Sequence, residues 1–228
     1  MMMKVIRKAF PLFFSCVLFF SAEGQVRREY QSWWTIGCEK KISERWTAAL
    51  KVESRIDMDA AMFVNDFANL SFKRKWTEAF STEFHYRYSI RNQGGGNYID
   101  AHRFMADFNY RVAIQKTDVV FRVRFGREDE ALRSQDFFTF DENVVRQKIG
   151  LKRKIGELEW TISAEQFETI GPQGVDFDQF RVVLNASYRI TKRHGVDVFV
   201  MHQDMVSTVR TNFGAAYTYK LKSRKQDP

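Results

Sequence analysis

Polar and apolar side chains alternate along most of this chain, from Arg28 to Leu221. Between Phe80 and Arg91, the even positions carry aromatic, isoleucine or threonine side chains, and the odd positions carry serine, glutamate, histidine and arginine. A period of two places each set on its own face of an extended strand, whereas a helix would scatter the charges around its circumference. The same alternation recurs in the segments 102–112, 119–126 and 179–190. The pattern predicts an all-β protein.

Eleven segments carry this alternation. They are predicted as strands at residues 30–42, 46–57, 65–75, 77–91, 98–113, 118–127, 138–153, 157–168, 177–190, 195–204 and 208–221. Short turns alternate with longer polar loops, the loops being predicted at 57–66, 92–97, 127–136 and 170–176. Outer-membrane barrels have short periplasmic turns, longer outer loops and an even number of strands. We therefore expect ten strands, with one segment outside the wall, or twelve, with an extra strand before Trp33.

The N-terminus has the layout of a secretory signal peptide. A basic start precedes an apolar stretch at residues 9–20, and the small residues Ala22 and Gly24 fit a cleavage site before Gln25. An apolar stretch of about 12 residues is shorter than the roughly 20 that a membrane-spanning helix needs. We expect a cleaved signal peptide over residues 1–24 and a single barrel domain over residues 25–228.

Alternation alone also fits a soluble exported lipid-binding barrel, which carries its apolar side chains inside. A barrel of ten or more strands encloses a lumen too wide for apolar side chains to fill, which favours a polar interior and an apolar outer surface. Tyrosine and tryptophan residues stand near the ends of the apolar faces, as expected at the two membrane interfaces. These aromatic residues are Trp34, Trp46, Trp76, Tyr88, Tyr98, Tyr110, Trp160, Tyr188, Tyr217 and Tyr219.

We therefore predict a single antiparallel transmembrane β-barrel of about 10 to 12 strands in the outer membrane. Its expected partners are outer-membrane lipid and lipopolysaccharide, together with the barrel-assembly machinery during biogenesis. The formal charge of +8 suggests nucleic-acid binding, but the basic residues are scattered along the strands, so no nucleic-acid partner is predicted. The mature chain holds only Cys38, so no internal disulfide is expected. The oligomeric state does not follow from the sequence.

Charged side chains lie on the polar face of the predicted strands. They are Glu53, Arg55, Glu83, Arg87, Arg103, Arg122, Arg124, Arg146, Glu165 and Arg181. An arginine that faces hydrocarbon at the bilayer midplane costs about 2–4 kcal/mol, so these residues are expected to face the lumen. They form either a salt-bridged plug, which makes the barrel structural, or the lining of a narrow pore whose positive bias favours anions.

Several short motifs resemble the Gram-negative outer-membrane barrels of the domain of unknown function 2490 family. They are Trp34, Ser43-Glu44-Arg45-Trp46, Glu53-Ser54-Arg55-Ile56, His102-Arg103-Phe104, Phe121-Arg122-Val123-Arg124, Arg146, Glu165, Phe180-Arg181, Tyr188-Arg189-Ile190 and Gln203. The resemblance covers essentially the whole mature chain. It implies an outer-membrane barrel and no particular activity.

Catalytic and metal-binding motifs are not evident. The four histidines, His85, His102, His194 and His202, are separated along the chain, and no Gly-x-Ser-x-Gly run accompanies them. We predict no catalytic residues, no metal site and no cofactor, because four separated histidines and one mature cysteine offer no obvious ligand cluster. An outer-membrane lipid hydrolase or acyltransferase remains the alternative among enzymes.

Overall fold

The computed structural model describes residues 27–94, 97–130, 142–171, 174–205 and 207–222, which form a closed β-barrel. The predicted signal peptide lies outside these residues. The wall consists of eleven strands: β1 (Arg27–Lys41), β2 (Trp46–Asp57), β3 (Met62–Lys75), β4 (Phe80–Gly94), β5 (Asn97–Ile114), β6 (Thr117–Glu130), β7 (Glu142–Ile155), β8 (Leu158–Gly171), β9 (Gly174–Arg189), β10 (His194–Met205) and β11 (Thr208–Leu221). Among the described residues, no helix has the length and apolar character needed to span a membrane.

The predicted barrel is confirmed, and each of the eleven predicted segments forms a strand of the wall. The expected even strand count is wrong. Consecutive strands pair antiparallel, and the ring closes through a parallel pair, β1 with β11, that runs from Arg27 beside Thr208 to Lys40 beside Leu221. An odd number of alternating strands leaves the first and the last pointing the same way, so only a parallel pair can close the ring.

The predicted difference between short turns and long loops is smaller than expected. We call the rim where β1 ends the turn rim; its connections are residues 42–45, 76–79, 115–116, 156–157 and 190–193. At the opposite loop rim, the strand ends are separated in sequence by residues 58–61, 95–96, 131–141, 172–173 and 206–207, of which 95–96, 131–141, 172–173 and 206 lie outside the described residues. The strands extend into the predicted loops because polar residues continue the antiparallel pairing beyond the apolar band. Only 131–141 is longer than the turns.

The neighbouring tryptophans of β1 show which face of the wall is which. Trp33 is 7% exposed and points into the barrel, whereas Trp34 is 58% exposed and points outward. Residues paired across neighbouring strands share a face, so the registers carry this assignment around the ring. The outer surface is accordingly rich in exposed large apolar side chains, and most charged side chains of the strands lie inside.

Close packing inside the barrel requires a glycine at position 214. A Cβ atom on Gly214 would overlap the ring of Phe199, which itself packs edge-on against Trp33 at a centroid distance of 5.9 Å. We expect Gly214→Ala to lower the free energy of unfolding by about 1–3 kcal/mol, since overpacking forces side chains off their preferred rotamers.

Urea unfolding of the detergent-solubilised barrel measures this effect. Gly195→Ala is the matched control, because a Cβ there meets only the Tyr188 carbonyl oxygen, at 3.9 Å. Adding Phe199→Leu to Gly214→Ala should recover part of the loss. Equal stability of the Gly214→Ala and Gly195→Ala variants would contradict the predicted overlap.

Candidate functional site

The charged residues predicted from the sequence all face the lumen, where the strand registers bring most of them together. With three aromatic residues and one aspartate they form what we call the lumenal layer. It consists of Trp33, Glu53, Arg55, Phe67, Glu83, Arg87, Asp107, Arg122, Arg124, Arg146, Glu165, Phe167 and Arg181. The remaining predicted residue, Arg103, also faces the lumen, directly opposite Arg87 across the β4–β5 pair.

Asp107 of β5 is the first centre of the lumenal layer. Arg124 lies directly opposite on β6 and donates to both carboxylate oxygens, with Nε–Oδ1 2.5 Å and Nη2–Oδ2 2.7 Å. Arg122 Nη1 and His85 Nε2 approach Oδ2 at 3.8 and 3.3 Å. Asp107 is only 3% exposed, so its charge is stable here only because the bidentate arginine and its neighbours compensate it.

Glu165 of β8 is the second centre. Arg146 Nε donates to its Oε1 at 2.9 Å, Arg122 Nη2 donates to the same oxygen, and Arg181 Nε lies 4.0 Å from Oε2. Arg122 therefore contacts both centres and joins them into one network. The two carboxylates belong to strands three places apart in the ring, so the network spans a large part of the lumen.

Aromatic rings fill the space between the arginines. Phe167 lies between the guanidinium groups of Arg146 and Arg181, whose Cζ atoms are 4.1 and 4.0 Å from the ring centroid. Phe67 contacts Arg87 in the same way, at 3.8 Å. Such stacks lower the free-energy cost of desolvating a guanidinium group, because the face of an aromatic ring carries partial negative charge. The sequence patterns did not single out these phenylalanines, although both interrupt a polar face.

Trp33 of β1 adds a third ring to this aromatic packing, next to Phe67. The guanidinium of Arg55 stacks on Trp33 at 3.7 Å, donates to Glu53 Oε1 at 2.8 Å and lies 5.0 Å from the Phe67 ring. Thr35 donates to the other oxygen of Glu53 at 3.1 Å. Arg55 is thus held by a ring on one side and a carboxylate on the other.

The lumenal layer carries more positive than negative charge. It contains six arginines, at positions 55, 87, 122, 124, 146 and 181, against the four carboxylates of Glu53, Glu83, Asp107 and Glu165. The buried Nε atoms of Arg87 and Arg181 have no hydrogen-bond partner among the residues that the structure describes. The layer can therefore attract anions and repel cations.

Three potential metal ligands meet beside this network. Atoms of Glu83, His85 and Asp107 all lie within 4.8 Å of one another, although no ligand cluster was predicted from the spacing of these residues. His85 Nε2 lies 3.8 Å from Glu83 Oε1, and Asn69 Nδ2 lies 3.4 Å from His85 Nδ1. Because both Asp107 oxygens accept hydrogen bonds from Arg124, the cluster fits an ion-pair network better than a cation site.

The predicted interface aromatics lie mostly on the outer face, and they are distributed unevenly. Seven are near the turn rim: Trp46, Trp76, Tyr110, Trp160, Tyr188, Tyr217 and Tyr219. Tyr98 lies near the loop rim, and Trp34 and Tyr88 lie near the middle of their strands. Arg74 packs between Trp46 and Trp76, at 5.4 and 3.7 Å from the rings, which shields an outward charge at the turn rim.

Two histidines on the outer face bind tyrosines. His102 Nδ1 is 2.8 Å from the Tyr86 hydroxyl, and His194 Nδ1 is 2.6 Å from the Tyr217 hydroxyl. Ring contacts accompany both hydrogen bonds, since the His102 ring lies 5.2 Å from the Tyr88 ring and the His194 ring lies 5.1 Å from the Tyr219 ring. The arrangement therefore favours aromatic packing at these two positions.

The fold and the lumen define an all-β closed barrel of outer-membrane type with a buried network of arginine, aspartate and glutamate. The chain belongs to the family described as protein of unknown function (DUF2490), whose model matches residues 30–214. No curated protein matches the chain at a significant level.

Two solved outer-membrane structures are similar to this barrel. One is a bacterial polysaccharide outer membrane secretin, with a TM-score of 0.48 and 8% sequence identity. The other is OmpTdeltaL8, a loop L8 deletion mutant of OmpT, an outer membrane protein of Vibrio cholerae, with a TM-score of 0.38 and 11% identity. Each match covers 75% of this chain, and 62% and 60% of the respective structures.

Proposed function

We propose that this protein is a structural barrel of the outer membrane, whose lumen is closed by the lumenal layer and which has no catalytic role. The burial of the layer carries this proposal. Asp107, Glu165, Phe67, Phe167 and Trp33 are each less than a tenth exposed although they point into the barrel, so side chains fill the lumen at this height. Salt bridges and aromatic stacks here replace the apolar core of a soluble protein.

The outer surface supports residence in a membrane. Large apolar side chains such as Ile36, Phe84 and Leu184 face outward and are about half exposed or more. A water-soluble barrel would reverse this arrangement, because exposed apolar area costs free energy in water. The proposed surroundings are outer-membrane lipid and lipopolysaccharide, reached through the barrel-assembly machinery, with the turn rim in the periplasm.

A narrow anion-selective pore is the second candidate. The excess of arginine over carboxylate in the lumenal layer favours it, because a positive constriction concentrates anions. In this case, the layer would leave a path for small ions while it excludes larger solutes.

Cell fractionation tests the location. We expect the full-length protein in the outer-membrane fraction, and its gel migration should change when the sample is boiled, because a folded barrel resists detergent until it is heated. Release with the soluble periplasmic fraction, together with migration that boiling does not change, would contradict membrane residence.

Planar-bilayer conductance tests whether the lumen is closed. The wild-type barrel should show no steady current of diffusion-pore size. Trp33→Ala removes a ring from the lumenal layer and should raise the conductance several-fold, whereas Trp34→Ala removes the neighbouring ring from the outer face and should not. A large steady current through the wild type would contradict the closed lumen, and a small anion-selective one would support the second candidate.

A further inference from the structure

A cavity of about 440 Å³ lies at the turn rim, beside the connection between β3 and β4. Its lining includes six cationic side chains and one carboxylate. The cationic residues are Lys73, Lys75, Arg111, Arg122, Lys148 and Lys152, and the carboxylate is that of Glu78. We call it the lysine cavity. Thr77, Ser81 and Asn109 add neutral hydrogen-bonding groups to the same lining.

The single carboxylate is already neutralised. Lys75 Nζ contacts Glu78 Oε1 at 2.5 Å, and Arg111 Nη2 lies 3.9 Å from Oε2. The hydrogen bond from Lys75 and the charge of its ammonium group lower the pKa of Glu78, so this carboxylate stays ionised and bound to its lysine. It therefore offers no charge to Lys73 or Lys148. The other cations of the cavity have carboxylate partners of their own: Asp118 for Arg111 at 3.6 Å, Glu165 for Arg122 and Glu159 for Lys152.

Lys73 and Lys148 are the uncompensated lysines. Neither makes an ion pair within the described ranges, although Lys73 lies opposite Glu83 and Lys148 lies opposite Glu165 in the sheet register. The carboxylate of Glu165 is engaged by arginines instead. Arg122 leaves its buried Nε without a hydrogen-bond partner in the described part of the chain. Half-enclosed lysines without an ion pair, beside a guanidinium group with an unused donor, favour an anionic ligand.

A second cavity at the same rim provides an internal comparison. Its volume is about 520 Å³, and it shares Lys152 with the first. Four carboxylates line it, those of Glu39, Glu157, Glu159 and Asp197. Two of them pair with basic neighbours: Lys152 with Glu159 at 2.7 Å, and Arg189 with Glu157 at 3.7 Å. Seven lysine and arginine side chains also line it, so its excess of three positive charges is smaller than the excess of five in the lysine cavity.

We propose that the lysine cavity binds a phosphate group, with Lys73, Lys148 and the Arg122 guanidinium as its cationic ligands. Phosphate carries up to two negative charges and several acceptor oxygens, which matches ammonium and guanidinium donors from three strands. The group comes either from a free phosphate or from the headgroup of a phospholipid at the adjacent membrane interface. Such a phosphate site is separate from the structural role proposed above and does not require a closed lumen.

Calorimetric titration of the detergent-solubilised full barrel with inorganic pyrophosphate tests the site. We expect saturable binding at one site, and the variant Lys73→Gln/Lys148→Gln should weaken it by at least about tenfold. The control variant Lys51→Gln/Lys154→Gln removes two lysines from the second cavity and should change the affinity less than about twofold. Heat-modifiable gel migration verifies that each variant is folded.

The outcomes separate the site from non-specific charge attraction. Absence of saturable binding to the wild type, or equal weakening by the two double variants, overturns the proposal. Reconstitution in vesicles that contain phosphatidic acid distinguishes the sources of the phosphate. Loss of pyrophosphate binding in these vesicles, with its retention in phosphatidylcholine vesicles, indicates a lipid headgroup, and retention in both indicates a free phosphate.

Discussion

The variant Glu165→Gln is expected to lose about 3–5 kcal/mol of unfolding free energy, because it removes a buried negative charge and leaves its cationic partners uncompensated. Arg146, Arg122 and Arg181 all approach this carboxylate, and the side chain is only 4% exposed. Glutamine keeps the shape but cannot balance three guanidinium charges. The remaining arginines then repel one another in a poorly hydrated lumen.

Glu159→Gln is the matched control for this variant. Glu159 lies on the same strand and the same face, but its ion pair with Lys152 is more exposed to solvent, with side chains 29% and 37% accessible. Pairs of this kind contribute about 0–1 kcal/mol. Urea unfolding of both variants in detergent, followed by tryptophan fluorescence, compares them. Similar unfolding midpoints would show that Glu165 is not a centre of the lumenal layer.

Phe167→Ala is expected to lower the free energy of unfolding by about 3–5 kcal/mol, the usual cost of truncating a buried phenylalanine. The loss has two sources here. The ring leaves a cavity in the lumen, and its removal ends the stacking that separates the charges of Arg146 and Arg181. Phe84→Ala on the outer face is the control, because that ring is 54% exposed and faces the detergent.

A double variant separates the two sources of this loss. Adding Arg181→Met to Phe167→Ala removes one of the two charges, so part of the lost stability should return. Unfolding midpoints from denaturant titration measure the coupling. Strictly additive losses of stability would mean that the Phe167 ring stabilises the barrel only by occupying space, and not by separating the two charges.

The face of the wall on which each strand residue lies was predictable from the sequence, because the alternation of side chains is a local property of a strand. The ten ionic residues, Glu53 among them, all stand on the inner face, as their parity indicated. The odd strand count was not predictable in the same way. It depends on the pairing of β1 with β11, a contact between the two ends of the described chain, which no local pattern encodes.

Clusters formed across strands also escaped prediction. Glu83, His85 and Asp107 meet only because the register places Glu83 opposite Asp107, and a shift of one residue would separate them. The basic residues looked scattered along the sequence, yet closure of the barrel gathers several of them into the lysine cavity. The aromatic part of the lumenal layer had one available signal in the sequence. Large aromatic residues occupy positions on the otherwise polar face of their strands, at Trp33, Phe67 and Phe167.

The parallel pair between β1 and β11 has a consequence for how the barrel is made. Glu29 and Arg210, joined by hydrogen bonds of 2.6 and 2.9 Å, belong to strands at opposite ends of the sequence, so this ion pair forms only after synthesis of β11. Every other neighbour in the ring is close in sequence and can pair earlier. Parallel pairing is also slightly weaker per residue than antiparallel pairing. We therefore expect the β1–β11 contact to be the last to form when the barrel folds.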